Sequence, residues 1–344
     1  MKFLFHIGAG KTGTSSIQQT LRTQREVLER HGVWYLGLML EHAPVQLFPW
    51  QKASASEVFH QLEPLEGQEQ LHAVLTATVE KARQAGIHTI IWSNESFFDR
   101  NQKTRQPLAD LLAEGVDVRF IAYVRRYDAW VRSAYVQWGI KHKTYPGPVI
   151  PFRDWIRRRP PGFAAALLSI QDRFPDRVVV RNVDAAGDAV SDFLQVSGID
   201  QLGLSKLREN VSPPAEELLL RALFNTRIRE KVLPMRFDKV VGAGLDFEHT
   251  PLEHLQQLMP NAEDMAHALD TAASDRRQLD SLLKAQGQPA MVTEPLPERA
   301  MEVRAERLVL ALSQIVCQQA LRLERLEQQL AELTAGAGKD EARQ

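Results

Sequence analysis

The chain nearly lacks cysteine. A single thiol, Cys317, among 344 residues excludes an internal disulfide framework and any cysteine-rich zinc site. A reducing cytoplasm is the expected location. Long apolar runs are missing as well. None approaches the roughly 18 uninterrupted apolar residues of a membrane-spanning helix, so no integral membrane segment is expected. The opening Met1-Lys2-Phe3-Leu4-Phe5-His6-Ile7-Gly8 is apolar but too short for a signal peptide and reads as a first buried strand. An excess of either charge is absent too. The net charge is −1, so the molecule as a whole has no electrostatic draw toward nucleic acid. No internal repeat is present. Charge is uneven only locally: between Arg125 and Arg159 lie nine Arg or Lys residues against two Asp. That stretch is either a solvated basic face or a face that meets an anionic ligand.

What is present is an alternation of short apolar runs and helical patterns. Phe3–Ile7 reads as a strand that stops at glycines. A helix is expected from Thr14 or Ser15 to His31-Gly32, and Val33–Leu36 as a second strand. Helix is expected over 71–85, strand over 89–92, a short helix over 107–114 and a core strand over 116–124. A helix over 127–140, a helix over 163–174, a strand over 177–183 and a helix over 189–197 complete the series. Strands alternating with helices imply βαβ units, an α/β three-layer fold and a mostly parallel central sheet flanked by helices. Ligands then bind beyond the carboxyl ends of the strands. The expected division is a core over 1–230, an irregular or helical lid over 231–296, a long helix over 297–335 and a disordered tail over 336–344. The long helix carries Leu308, Leu310, Leu312, Ile315, Leu321, Leu323, Leu326, Leu330 and Leu333. Packing on its own core is favoured over a homodimeric coiled coil, because the heptad pattern is not clean.

Gly8-Ala9-Gly10-Lys11-Thr12-Gly13-Thr14-Ser15-Ser16 follows the first expected strand and opens a helix. Helix N-termini leave backbone N–H groups without partners and favour negative charge, so this is an anion site. Against the pattern GxxxxGK[ST], Gly8, Gly13 and Ser15 hold the glycine and hydroxyl positions. Thr14 stands where the lysine belongs, and the lysine has moved into the loop as Lys11. No aspartate follows an apolar strand where a magnesium ligand is usual. The strand ending at Trp92 leads into Ser93-Asn94-Glu95, and the one ending at Val124 leads into Arg125-Arg126. An anionic donor that needs no metal suits such a site.

The stretch from His6 to Gln18 resembles the 5′-phosphosulfate loop of the sulfotransferases that use 3′-phosphoadenylyl sulfate (PAPS). A second stretch, from Val124 to Tyr135, resembles that family's 3′-phosphate motif. There an arginine after a strand precedes a serine by eight residues, as Arg125 precedes Ser133. Arg126-Tyr127 stands where the family often has Asn-Pro. The segments around 178–199 and Asn210-Val211-Ser212 resemble its bacterial branch. The resemblance covers about residues 2–225 and implies a P-loop-like fold, PAPS as co-substrate and PAP as product. It assigns Lys11 to the bridging oxygen and sulfuryl group. Gly10, Thr12, Gly13, Thr14, Ser15 and Ser16 take the 5′-phosphate, and Arg125 and Ser133 the 3′-phosphate.

Transfer to a hydroxyl needs a base. Glu41-His42 follows the second expected strand, and Glu95 follows the third. His42 is ranked first as the base, with Glu95 as its partner, a second base or a substrate contact. The acceptor implied by the resemblance is a carbohydrate, a glycolipid or another small molecule, with Trp34, Tyr35, Trp50, Trp138 and Trp155 as candidate stacking faces. Two alternatives stay open: a kinase with a degenerate phosphate loop, and a non-catalytic module that binds PAP or PAPS.

Overall fold

The structure is a computed structural model. It describes residues 1–206, 215–226, 228–233, 235–237, 258–294 and 304–312, and then 315, 316, 319, 322, 323, 325–327, 329 and 330. The Asn210-Val211-Ser212 stretch, Cys317, residues 238–257 and the tail from 331 onward lie outside the described residues. The chain divides into two units. The first comprises 1–131, 160–211 and 266–296, and the second 132–159, 212–265 and 297–344.

In chain order the elements are β1 (Lys2–His6), α1 (Thr14–Thr23), α2 (Arg25–Arg30), β2 (Val33–Tyr35), α3 (Ser56–Gln61), α4 (Pro64–Gln84), β3 (Thr89–Ser93), α5 (Gln102–Ala113), β4 (Asp117–Val124) and α6 (Tyr127–Ala134). There follow α7 (Phe152–Arg158), α8 (Ala164–Arg173), β5 (Val178–Asn182), α9 (Val183–Ala186), α10 (Ala189–Ser197), α11 (Ala215–Thr226), α12 (Ala262–Thr271) and α13 (Ala273–Ala285).

The first unit is built on a five-stranded sheet in the order β2-β3-β1-β4-β5, with every pairing parallel. Parallel strands buried on both faces read as apolar runs with an alternating allegiance. Phe3, Phe5, Ile90, Trp92, Val118, Phe120 and Ala122 face one core, shared with α4, α5, α8 and α13. Leu4, Ile91, Ile121 and Tyr123 face the other, shared with α1, α2 and α10. This is the three-layer α/β arrangement expected from the sequence. The rings of Phe5 and Trp92, on adjacent strands, stack with centroids 4.1 Å apart. β1 is central, with β3 on one side and β4 on the other. Its connection runs out past β3 to β2, the chain then returns to β3, and the β3–β4 connection crosses over β1. The carboxyl end of β1 is therefore the point where connections diverge and the sheet opens a crevice.

Local signals explain most element ends. α10 begins at Asp188, whose carboxylate accepts the Ser191 N–H at 3.0 Å, and ends on Gly198 in the left-handed conformation. α8 begins where Asp275 of α13 accepts the N–H groups of Phe163 and Ala164, both at 2.9 Å. The helix expected over Thr14–His31 is two helices. Gln24 turns out of the helix because its amide donates to the Ser205 carbonyl and accepts the Ser205 N–H, a bond to a residue 181 positions away.

In the second unit, the helix expected to reach Ile140 changes to a π turn over Tyr135–Lys141. Gly139 permits it, since a Cβ there would stand 2.5 Å from the Tyr135 ring. That ring packs edge-on against Phe152 and Trp155. The Lys143 ammonium is buried on the carbonyls of Gly147 and Ile228. Arg153 pairs with Glu263 and Asp264, Arg157 with Asp154, and Arg159 lies over the Trp138 ring. Arg126, in the first unit, forks onto the buried Asp128. Five of the nine basic residues of 125–159 thus have partners within the protein.

Candidate functional site

β1 ends under the turn of residues 7–13. The Ile7 and Ala9 N–H groups still bond to the Ile121 and Tyr123 carbonyls of β4. After that the chain leaves the sheet. The Thr12 hydroxyl donates to the Ala9 carbonyl at 2.6 Å, the Trp130 indole N–H to the Gly10 carbonyl at 2.8 Å, and the Arg125 guanidinium to the Lys11 carbonyl at 3.4 Å. Three successive acceptors of the turn are engaged in this way. What remains includes donors: the N–H groups of Thr14 and Ser15 at the start of α1, that of Ser16 being bonded to the Gly13 carbonyl at 3.1 Å, and the side chains around them. Lys11 adopts φ +73°, a left-handed conformation uncommon for a side-chain-bearing residue. Such strain persists only where the surroundings impose it, and it concentrates at functional sites.

Two glycines are required by contact. Gly13, the residue before α1, has φ +94°, and a Cβ on it would stand 2.6 Å from the Ala189 Cβ of α10. A Cβ on Gly8 would stand 2.9 Å from His6 Nε2 and 3.0 Å from Thr14 Oγ1. Both of those polar atoms are buried without a hydrogen-bond partner. His6 itself is a core residue. Its Nδ1 meets the Ser93 hydroxyl at 2.8 Å, and burial pushes its pKa down to about 3, so the ring is neutral.

Of the expected anion ligands, Gly10, Lys11, Thr12, Gly13, Thr14, Ser15, Ser16 and Arg125 are brought together at the β1 and β4 carboxyl ends. Arg125 also lies 3.8 Å from Asp184, which holds the Arg126 N–H. Thr12 serves to close the turn. Ser133 lies on α6 past the point where the chain enters the second unit.

The second cluster forms at the carboxyl ends of β2 and β3. Gly37 has φ +89° and sits against the Glu41 carboxylate, which accepts the Leu38 and Met39 N–H groups at 3.1 and 2.7 Å. The Trp92 indole and the Asn94 amide both donate to the Leu38 carbonyl. Glu41 is therefore committed to the backbone. His42 is not: its Nε2 is buried without a partner, 4.0 Å from Glu41. Burial lowers its pKa first, and Arg25 and Arg22 act in the same direction against an opposing effect of Glu41. The ring lies 6.2 Å from that of Tyr35, whose hydroxyl is also buried and unpartnered. Burial and then Glu41 push that phenol above its ordinary range. Glu95 accepts the Gln18 amide at 2.9 Å, and the same amide reaches the Ser93 carbonyl. Behind Glu95, the Ser96 hydroxyl joins Asn94 to His60. His42 and Glu95 share an electrostatic neighbourhood with Tyr35 and Arg22, and no hydrogen bond joins the two.

α1 connects the clusters. Thr14, Gln18 and Arg22 recur every fourth residue, so they line one face of the helix. Thr14 serves the turn and Gln18 serves Glu95. The helical spacing was readable in the sequence and would have flagged Gln18. Nothing in the sequence marks Trp130 or Asp184 as supports of the turn. Of the aromatic residues considered as stacking faces, Tyr35, Trp50 and Trp155 are buried, and Trp50 packs on Phe48 and Phe59. A cavity of about 400 Å³, lined by Lys2, His31, Val33, His88, Thr89 and Ser197 among others, opens at the opposite, amino end of the strands. It contains none of these candidates, and parallel sheets bind ligands at the other end.

No family model matches the chain, and no curated protein or solved structure matches it significantly.

Proposed function

We propose that the chain is a sulfotransferase. It moves a sulfuryl group from PAPS to a hydroxyl, less readily to an amine, of a carbohydrate, a glycolipid or another small acceptor. One observation carries most weight. At the switch point of a parallel sheet, a turn with its Ala9, Gly10 and Lys11 carbonyls engaged presents donors: the α1 N-terminus, the buried unpartnered Thr14 hydroxyl and, beside them, the cations Lys11 and Arg125. That donor set fits a polyanion. PAPS supplies the activated sulfuryl group and leaves as PAP.

The chain's residues then divide the work. The α1 N–H groups with Thr14, Ser15 and Ser16 hold the 5′-phosphate. Lys11 stabilises the negative charge that develops on the leaving phosphate oxygen. Arg125 takes the 3′-phosphate. His42, whose pKa burial lowers, accepts the acceptor's proton at Nε2. Glu95, fixed by Gln18, orients the acceptor or assists the base. A kinase draws on one feature here, the Glu95 carboxylate beyond β3, next to the central strand. It would require ATP and magnesium.

Thermal-shift titration separates the two. PAP without metal should raise the melting temperature, by the equivalent of about 2.7 kcal/mol at a concentration 100 times Kd. Lys11→Ala and Arg125→Ala should remove most of that gain. Stabilisation by ATP with magnesium alone would refute the sulfotransferase. His42→Ala should keep PAP binding and lose transfer. If PAP binds to wild type and no acceptor library yields transfer, a non-catalytic PAP-binding module is the better description.

A further inference from the structure

In the second unit the described residues of the C-terminal segment are helical from 305 to 330. Its first turns are anchored: Leu308, Ala311, Leu312 and Ile315 pack against Leu220 and Phe237. Another face of the same helix is exposed. Val309, Val316, Leu323 and Leu330 are 60, 65, 59 and 63 % exposed, and they recur at intervals of seven residues. With these as the first core position of a heptad, the second is held by Gln319 and Leu326, the preceding one, Leu312, being packed inward. Leu326 is 51 % exposed. The seam is hidden in a plain count of leucines, because Leu310 and Leu321 lie off it.

We propose that the exposed face bearing Val309, Val316, Leu323, Leu326 and Leu330 pairs with that of a second copy of this chain in a parallel, in-register, two-stranded coiled coil. Four apolar positions at seven-residue spacing is the pattern that sustains such a pairing. Charge complementarity identifies the partner as the same helix. In a parallel in-register pair, Arg322 on one helix flanks the seam opposite Glu327 on the other, and symmetry makes the contact twice. Gln329, which also flanks the seam, is uncharged, so it brings no like charges together. Gln319 pairs with its own copy in this register, whereas a shifted or antiparallel pairing sets its amide against valine or leucine.

Sedimentation equilibrium of the full chain tests this. Wild type should be a dimer at micromolar concentration, and Leu323→Glu with Leu326→Glu should be a monomer with an unchanged near-ultraviolet dichroism spectrum. Arg322→Glu should weaken the dimer by roughly two- to fivefold, and adding Glu327→Arg should restore it. In a Cys317→Ser background, Leu323→Cys should form an interchain disulfide on mild oxidation, which needs no folding assay beyond the gel. A monomeric wild type, a trimer or tetramer, a dimer indifferent to the double glutamate variant, or a dimer that fails to crosslink would each overturn the proposal.

Discussion

Gly13→Ala is the most direct perturbation of the turn, because two separate costs fall on one added methyl. The first is conformational. The residue sits at φ +94°, and a left-handed conformation costs an L-residue with a Cβ roughly 1–2 kcal/mol. The second is steric. The new Cβ would stand 2.6 Å from the Ala189 Cβ, and both atoms belong to backbone-fixed positions, so either α10 or the turn must move. Overpacking of this kind costs about 1–3 kcal/mol. The sum is roughly 2–5 kcal/mol, which lowers the melting temperature of a unit of about 200 residues by roughly 5–15 °C. The costs can be separated. Ala189→Gly removes the colliding atom and leaves φ untouched. Alone it should destabilise by up to about 1 kcal/mol, as glycine in a helix does. Combined with Gly13→Ala it should restore the steric share, so the double variant melts above the sum of the singles. Differential scanning calorimetry on the four proteins gives the cycle. A Gly13→Ala variant that melts with wild type would refute the conformational reasoning. A double variant that shows strict additivity would refute the contact with α10.

Three further outcomes follow from buried polar groups. His6 is held neutral down to about pH 3 by burial, while the unfolded chain takes up a proton below about pH 6.5. The unfolded state therefore binds more protons across that window, and stability falls as pH drops through it. The full window is worth roughly 4–5 kcal/mol. His6→Gln should flatten part of the slope in urea midpoints measured from pH 6.5 to 4, and an unchanged slope would exclude His6 as the titrating group. Trp130→Phe keeps the ring contact with Phe163 and loses the bond to the Gly10 carbonyl. It should cost about 1 kcal/mol and weaken PAP binding by isothermal titration. Asp275→Ala removes the acceptor for the Tyr127 hydroxyl and for the Phe163 and Ala164 N–H groups. The loss should be about 2–4 kcal/mol by chemical denaturation, and a change below about 0.5 kcal/mol would mean that solvent replaces the carboxylate.

The strands were legible because a parallel strand buried on both faces is a continuous apolar run bounded by polar residues. Thr89–Ser93 and Asp117–Val124 fall within a residue or two of the expected limits. α10 was legible for another reason, its Asp188 cap and terminal Gly198. What escaped prediction depends on residues far apart in the chain. The break at Gln24 coincides with its bonds to Ser205, and the Arg153 charge is paired with Glu263 and Asp264. Neither partner has a sequence signature. α12 and α13 fall in the segment read as irregular or helical, and Met265, Ala268, Leu269 and Ala272 carry the helical spacing that would have settled it.

The candidate site divides along the same line. Lys11, Thr14 and Arg125 could be named because a strand end and a helix start are local events, and the chemistry of a helix N-terminus follows from them. The geometry that joins the turn to His42 and Glu95 could not, because it runs through side chains whose partners are decided by the sheet order. With β3 beside β1, Ser93 and Glu95 come under the Gln18 amide. Any ligand that draws Thr14 and the first turn of α1 toward itself also bears on Gln18 one turn later. A single rigid helix thus ties the anion end to the carboxylate end, and the register between the two halves of the site is set by 3.6 residues per turn and not by any contact between the candidate residues themselves.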